Sequence, residues 1–80
     1  MNVFVLVSTK SFDGSDNFEN ARVFLTLDQA KCTASEEENF IISFESIDEI
    51  SWISTWNPNL KFDYQIIQTK VIQWLVTKGT

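Results

Sequence analysis

The chain offers no covalent or metal staple with which to hold a fold together. Its one cysteine, Cys32, cannot form a disulfide within the chain, and there is no histidine among the 80 residues. A chain of this length has room for one core and buries only about 60–65% of the surface that its unfolded form exposes. Seven Phe, three Trp and one Tyr supply the large side chains that such a core needs. We therefore predict a single domain over residues 1–80, held together by aromatic packing or by a partner chain.

Charge is distributed unevenly along the chain. Residues 1–50 contain ten Asp or Glu and three Lys or Arg, a net charge of −7, whereas residues 51–80 contain one Asp and three Lys, a net charge of +2. An acidic surface repels nucleic-acid phosphates and anionic lipids and attracts basic protein surfaces. We expect a partner protein with a basic surface, and no direct binding to nucleic acid or membrane. The alternative is that the charge serves only solubility.

The cysteine content and the N-terminal sequence bear on the compartment. A single cysteine without a disulfide framework is typical of a reducing cytoplasm. The opening MNVFVLVSTK has no basic region and only a short apolar run, unlike a signal peptide. No apolar stretch reaches the ~18–20 residues that span a bilayer. These features predict a cytoplasmic protein.

The first forty residues predict two strands and a helix. Residues 2–9 are apolar on both pleat faces, which indicates a strand buried on both sides and central in its sheet. Residues 21–26 are a second strand candidate, also apolar on both faces. The polar residues 10–20 should join them as a long hairpin loop. Thr26 followed by Gln29 is a capping-box pattern that starts a helix. We expect this helix to end near Ser35, because three consecutive glutamates are unfavourable at a helix C-terminus.

The second half of the chain is ambiguous in two places. Residues 39–47 alternate as a half-exposed strand, and residues 47–56 fit either a strand or a helix, with a composition that favours a strand. The segment 60–77 shows three- and four-residue apolar spacing, which predicts a C-terminal helix of about 15 residues, with β strands as the alternative. The predicted fold is α+β: a small antiparallel sheet of three to four strands, a short helix after strand 2, and the C-terminal helix packed on one face.

The stretch SFDGSDNFEN (residues 11–20) is the nearest approach to a chemical motif. Read as a calcium loop from Asp13, it has Phe18 where a glycine is needed and Phe24 where the bidentate glutamate is needed. It reads better as a turn, because Asp, Asn, Ser and Gly all favour turns. Phe12 and Phe18 are unexpected in a solvated loop. They would either fold back onto the core or act as apolar anchors among acidic groups.

Catalytic machinery is hard to find in this sequence. Without histidine, no base stands out beside a serine or cysteine, and a metal site would lack its usual ligands. Two glycines exclude a glycine-rich phosphate loop. Clustered carboxylates could serve glycoside hydrolysis but are typical of a solvated face. We predict no enzyme activity, no metal and no cofactor.

The cysteine and the tryptophans have more ordinary interpretations. Cys32 should be a small buried hydrophobe on the predicted helix. Trp52, Trp56 and Trp74 should pack in the core, because a base-stacking platform would need a basic groove. A protein interface is their alternative role.

Function is therefore predicted by elimination to be binding. The leading hypothesis is a small protein–protein interaction module, an inhibitor or adaptor whose acidic face meets a basic surface of a target protein. If that target binds nucleic acid, the carboxylates could block it by standing where phosphates would sit. The Asn-, Ile-, Lys- and Phe-rich, Gly- and Pro-poor composition fits an A+T-rich coding sequence. A short, acidic, histidine-free chain of this kind resembles a viral protein, a bacteriophage or mobile-element accessory protein that mimics nucleic acid. The alternative is an assembly subunit that forms a homo-oligomer through its aromatic C-terminal segment. The predicted partner-binding residues are Phe12, Asp13, Asp16, Phe18, Glu19, Glu36, Glu37, Glu38, Glu45, Asp48 and Glu49.

Overall fold

Five strands and one helix make up the computed structural model, which describes residues 1–12 and 15–70. The strands form one antiparallel sheet in the order β2-β1-β5-β4-β3. The predicted α+β class is confirmed, but the sheet has five strands where three or four were expected. The elements are β1 (Asn2–Phe12), β2 (Ser15–Phe24), α1 (Leu27–Glu38), β3 (Phe44–Asp48), β4 (Ser51–Ser54) and β5 (Asp63–Lys70).

Strands β1 and β2 form a long hairpin. Their register runs from Phe4 opposite Phe24 to Phe12 opposite Ser15, with an irregularity after Ser8. The predicted long loop over residues 10–20 is therefore wrong, because the strands continue almost to the Asp-Gly dipeptide. That dipeptide, residues 13–14, lies outside the described residues, and its sequence is one that two-residue hairpins favour. As predicted, β1 lies inside the sheet, between β2 and β5.

Helix α1 begins and ends at clear caps. The Thr26 hydroxyl accepts a hydrogen bond from the Gln29 N–H at 3.1 Å, so the predicted N-cap is confirmed. At the other end, Asn39 adopts the left-handed conformation with φ of 63°. Its N–H donates to the Glu36 carbonyl at 3.3 Å. The predicted end near Ser35 is wrong, because the side chains of the last two glutamates have their own partners, described below.

The core lies between α1 and one face of the sheet. Leu6, Tyr64 and Ile66 are fully buried there, and Ala30 and Ala34 bring the helix close to them. Trp52 lies 6.0 Å from Phe4, between ring centroids, so this tryptophan packs on the core as predicted. The partly buried residues around the core are Phe4, Phe24, Leu27, Phe40, Phe44, Trp52, Leu60 and Phe62.

The second half of the chain departs from the predicted elements. The strand expected over 39–47 begins only at Phe44, and the ambiguous segment 47–56 contains the short strand β4. The predicted C-terminal helix is wrong over Asp63–Lys70, which form β5 between β1 and β4. Within β5, alternation with a period of two buries Tyr64 and Ile66, and the rest of the predicted helix, from residue 71, lies outside the described residues.

Candidate partner-binding surfaces

The predicted acidic residues do not form one surface. Strands β2 and β3 are at opposite edges of the five-stranded sheet, roughly four strand spacings or ~19 Å apart. Glu19 is therefore far from Glu45, and α1 carries the remaining group. The prediction of one continuous acidic half is wrong, because the fold divides its members among three places.

Glu38 is buried, which corrects its assignment to a solvated acidic face. Its side chain is 7% exposed. One carboxylate oxygen, Oε2, accepts a hydrogen bond from the Tyr64 hydroxyl at 2.8 Å, and Oε1 accepts one from the Lys61 N–H at 3.0 Å. A carboxylate with two donors is stabilised in this position, and it ties the end of α1 to the start of β5.

The pKa of Tyr64, which donates a hydrogen bond to Glu38, is shifted. Burial raises the pKa of the Tyr64 hydroxyl far above its usual value, and the hydrogen bond to Glu38 and the negative charges of Glu38 and Glu37 raise it further. A phenol that neighbours two carboxylates loses its proton only at great cost. Tyr64 is therefore a hydrogen-bond donor in this structure and is unsuited to act as a base.

Glu37 also has a structural partner. Its Oε1 lies 2.6 Å from Nη2 of Arg22 on β2, although the contact lacks the alignment of a hydrogen bond. The Tyr64 hydroxyl lies 3.3 Å from Oε2 of the same carboxylate. Of the three consecutive glutamates, Glu36 alone projects into solvent without a described cation or donor beside it.

The β3–β4 hairpin is the most concentrated acidic surface in the described part of the chain. Glu45, Asp48 and Glu49 are exposed on it, and so are Ile47 and Ile50. We call these five residues the acidic tip. Three carboxylates beside two exposed isoleucines give the tip both charge and an apolar contact surface.

The conformation of the acidic tip is fixed by local hydrogen bonds. Oδ1 of Asp48 accepts a hydrogen bond from the Ile50 N–H at 2.8 Å, and the Ser46 hydroxyl donates to the Asp48 carbonyl at 2.8 Å. The Gln68 N–H of β5 donates to the Ile50 carbonyl at 2.8 Å. The tip is therefore held by the sheet, and a pre-formed surface of this kind would lose little entropy on binding.

The other predicted site residues lie on the β1–β2 hairpin. Phe12 and Asp16 are at its closed end, and Asp13 lies outside the described residues. Phe18 and Glu19 are exposed on β2. Of the two roles considered for Phe18, a lid folded onto the core is wrong, because its side chain faces solvent.

A second surface, which the sequence did not indicate, borders α1. A groove of about 810 Å³ runs between the helix and the segment that follows it. Cys32 is exposed in this groove, so its predicted burial is wrong. Trp56 is also exposed, which corrects its assignment to the core, and Trp74 lies outside the described residues. The lining includes Lys31, Cys32, Glu36, Phe40, Ile41 and Ile42.

The described residues of the acidic tip and of the groove contain no cluster of metal ligands. In the ranges 1–12 and 15–70, no three His, Cys, Asp or Glu residues are grouped so that they could hold an ion. Within the same ranges, no helix has the length and apolar character needed to cross a membrane.

The structure describes only the first part of the C-terminal segment that was predicted to mediate self-association. Its first part, β5, pairs with β1 over its whole length and with β4 over residues 65–67. The rest of that segment, residues 71–77, lies outside the described residues.

Comparison with known proteins adds no relative to this description. No protein-family model matches the chain, and no curated protein or solved structure matches it significantly. The function has to be argued from the surfaces described above.

Proposed function

We propose that the protein is a small interaction module that binds a basic surface of a partner protein through the acidic tip. The observation that carries the proposal is the exposure of Glu45, Asp48 and Glu49 on one pre-formed hairpin, with Ile47 and Ile50 among them. None of the three carboxylates lies within ion-pair distance of a cation in the described part of the chain.

Charge gives the tip its attraction for a partner. Three unpaired carboxylates on an acidic protein raise the rate of encounter with a basic surface and orient it. Attraction between exposed charges is largely screened beyond ~8 Å at physiological salt. The tip should therefore bind in a strongly salt-dependent manner.

The isoleucines give the tip its contact energy. Ile47 and Ile50 are each about half exposed and can be desolvated by a partner without unfolding the hairpin. Strand β3 is an edge strand, so the backbone beside them is free to pair on its outer side. Apolar contact and backbone pairing would hold the complex once charge has brought the partner in.

The partner class that fits is a protein whose basic surface normally holds phosphates. An inhibitor of such a protein presents carboxylates where nucleic acid would sit. The acidic tip would occupy that surface directly, and duplex DNA added in excess should compete with it. An adaptor that binds a basic surface elsewhere on its target would be insensitive to DNA.

Affinity capture from a cell lysate with paired variants tests the proposal. The tip variant carries Glu45→Gln, Asp48→Asn and Glu49→Gln, and Asn at position 48 keeps the oxygen that accepts from Ile50. The control variant carries Glu19→Gln, Asp28→Asn and Asp63→Asn and so loses the same charge from exposed positions elsewhere.

We expect the unmodified protein and the control variant to retain the same basic protein at low salt and to release it at high salt, and the tip variant to retain none. Equal retention by both variants, or retention that does not change with salt, would contradict the proposal.

A further inference from the structure

The two most exposed large apolar residues in the described ranges lie next to each other. Ile41 is 90% exposed and Trp56 is 80% exposed. They line the same small pocket, and the Thr55 N–H donates to the Ser43 carbonyl at 2.8 Å, which joins the two segments. Isolated exposed hydrophobics are common on proteins, but an adjacent isoleucine and tryptophan form a patch that favours a partner.

This patch continues into the groove beside α1. Ile41 lines both the small pocket and the groove, together with Phe40 and Ile42. The groove and the patch therefore form one continuous surface that runs from α1 to Trp56. Its position differs from that of the acidic tip, which lies on the hairpin of β3 and β4.

Two opposite charges border the groove. Lys31 and Glu36 both line it, and neither is in the one ion pair formed by the described residues, which joins Arg22 to Glu37. They are five residues apart on the helix, or ~7.5 Å along its axis. A two-fold axis passing between them would set each lysine against the glutamate of a second copy.

From these features we propose that two copies of the chain associate with their α1 helices antiparallel, Ile41 and Trp56 covered at the interface, and Lys31 paired with Glu36 of the partner subunit. A second copy is favoured because its groove carries the complementary pair of charges in reverse order. A strongly acidic chain repels itself elsewhere, but the charges at the groove cancel.

Cys32 supplies a built-in reporter for this arrangement. It is the only cysteine, it is exposed, and it lies in the groove beside Lys31. An axis between Lys31 and Glu36 brings the two Cys32 thiols of a pair close together. A short bismaleimide should therefore cross-link two copies of the full chain at this residue, at protein concentrations where unrelated collisions are rare.

Sedimentation and light scattering of the full chain, over a dilution series from millimolar to micromolar, measure the dimer directly. Ile41→Lys should raise its dissociation constant by about tenfold or more. Phe18→Lys, the same change at an exposed position on β2, should leave it unchanged. A protein that is monomeric throughout the series, or a dimer that Ile41→Lys does not weaken, overturns the proposal.

Charge exchange tests the two-fold arrangement itself. Lys31→Glu and Glu36→Lys should each weaken the dimer, because each places like charges opposite one another twice. The double variant should restore it. Failure of the double variant to bind better than either single variant overturns the arrangement. The tip variant should dimerise normally, so the outcome is independent of the proposed partner binding.

Discussion

Glu36 and Glu38 are two residues apart on α1 and have opposite surroundings. Glu36 projects into solvent, whereas both oxygens of Glu38 accept hydrogen bonds in the interior. Composition alone could not separate them, since the difference comes from which side of the helix meets β5. At the scale of single residues, the carboxylates of this chain divide into structural and exposed groups.

Glu38→Ala should lower the free energy of unfolding by about 2–3 kcal/mol, because it removes two hydrogen bonds to a charged group and leaves the Tyr64 hydroxyl without its shorter one. Urea unfolding followed by tryptophan fluorescence measures the change. The matched control is Glu36→Ala, which should stay within about 0.5 kcal/mol of the unmodified protein. Equal effects of the two variants would show that Glu38 is not held as described.

Ser8→Ala should leave stability unchanged or raise it by up to about 1 kcal/mol. The Ser8 hydroxyl is buried and has no hydrogen-bond partner among residues 1–12 and 15–70. Removing an unsatisfied buried polar group relieves its desolvation cost. Urea unfolding again gives the measurement, and a loss greater than about 1 kcal/mol would mean that the hydroxyl has a partner.

Tyr64, the only tyrosine, should stay protonated at pH values where an exposed tyrosine ionises. Its folded-state pKa is raised, so its contribution to stability is complete below the unfolded pKa of about 10 and declines as pH rises above it. Tyrosinate absorbance should therefore appear only together with loss of the circular dichroism of the fold. A reversible appearance near pH 10 in the folded protein would contradict the hydrogen bonding to Glu38.

At the scale of elements, the sequence predicted correctly those helix and strand features that depend on neighbouring residues. It failed where contacts between distant residues determine whether a segment is helix or strand and where it ends. The N-cap at Thr26 and the inner position of β1 follow from patterns of a few residues. The apolar residues of the segment 60–70 fit both the three- and four-residue spacing of a helix and the two-residue alternation of a strand. The strand is formed because it buries Tyr64 and Ile66 together in the core beside α1. Helix α1 extends past Ser35 because distant residues, Arg22 and Tyr64, hold its last glutamates.

The end of α1 can be tested at Asn39. Its positive φ suits glycine best, asparagine next and alanine poorly. Asn39→Gly should therefore keep or slightly raise the stability, and Asn39→Ala should lower it by about 1 kcal/mol. Thermal and urea unfolding of the two variants give the comparison, and an order in which alanine is more stable than glycine would contradict the left-handed cap.

At the scale of the whole molecule, the order of the strands determines which acidic side chains lie on the same surface. Sequence reasoning counted acidic residues in one half of the chain and joined them into one surface. The order β2-β1-β5-β4-β3 instead places the two hairpins at opposite edges of the sheet. Two glutamates of α1, Glu37 and Glu38, contact residues of the sheet. The three carboxylates of the acidic tip were among the predicted partner-binding residues, but the exposure of its two isoleucines, and of Ile41 and Trp56, was not predicted.

The most direct measurement of the central claim is to map where a basic ligand binds. Amide NMR spectra of the full chain are recorded as a lysine-rich peptide is added, first at low salt and then at high salt. The account predicts that the largest shifts fall on residues 45–50 and disappear at high salt. Largest shifts on α1 or on β2, or shifts spread evenly over the exposed carboxylates, would contradict it.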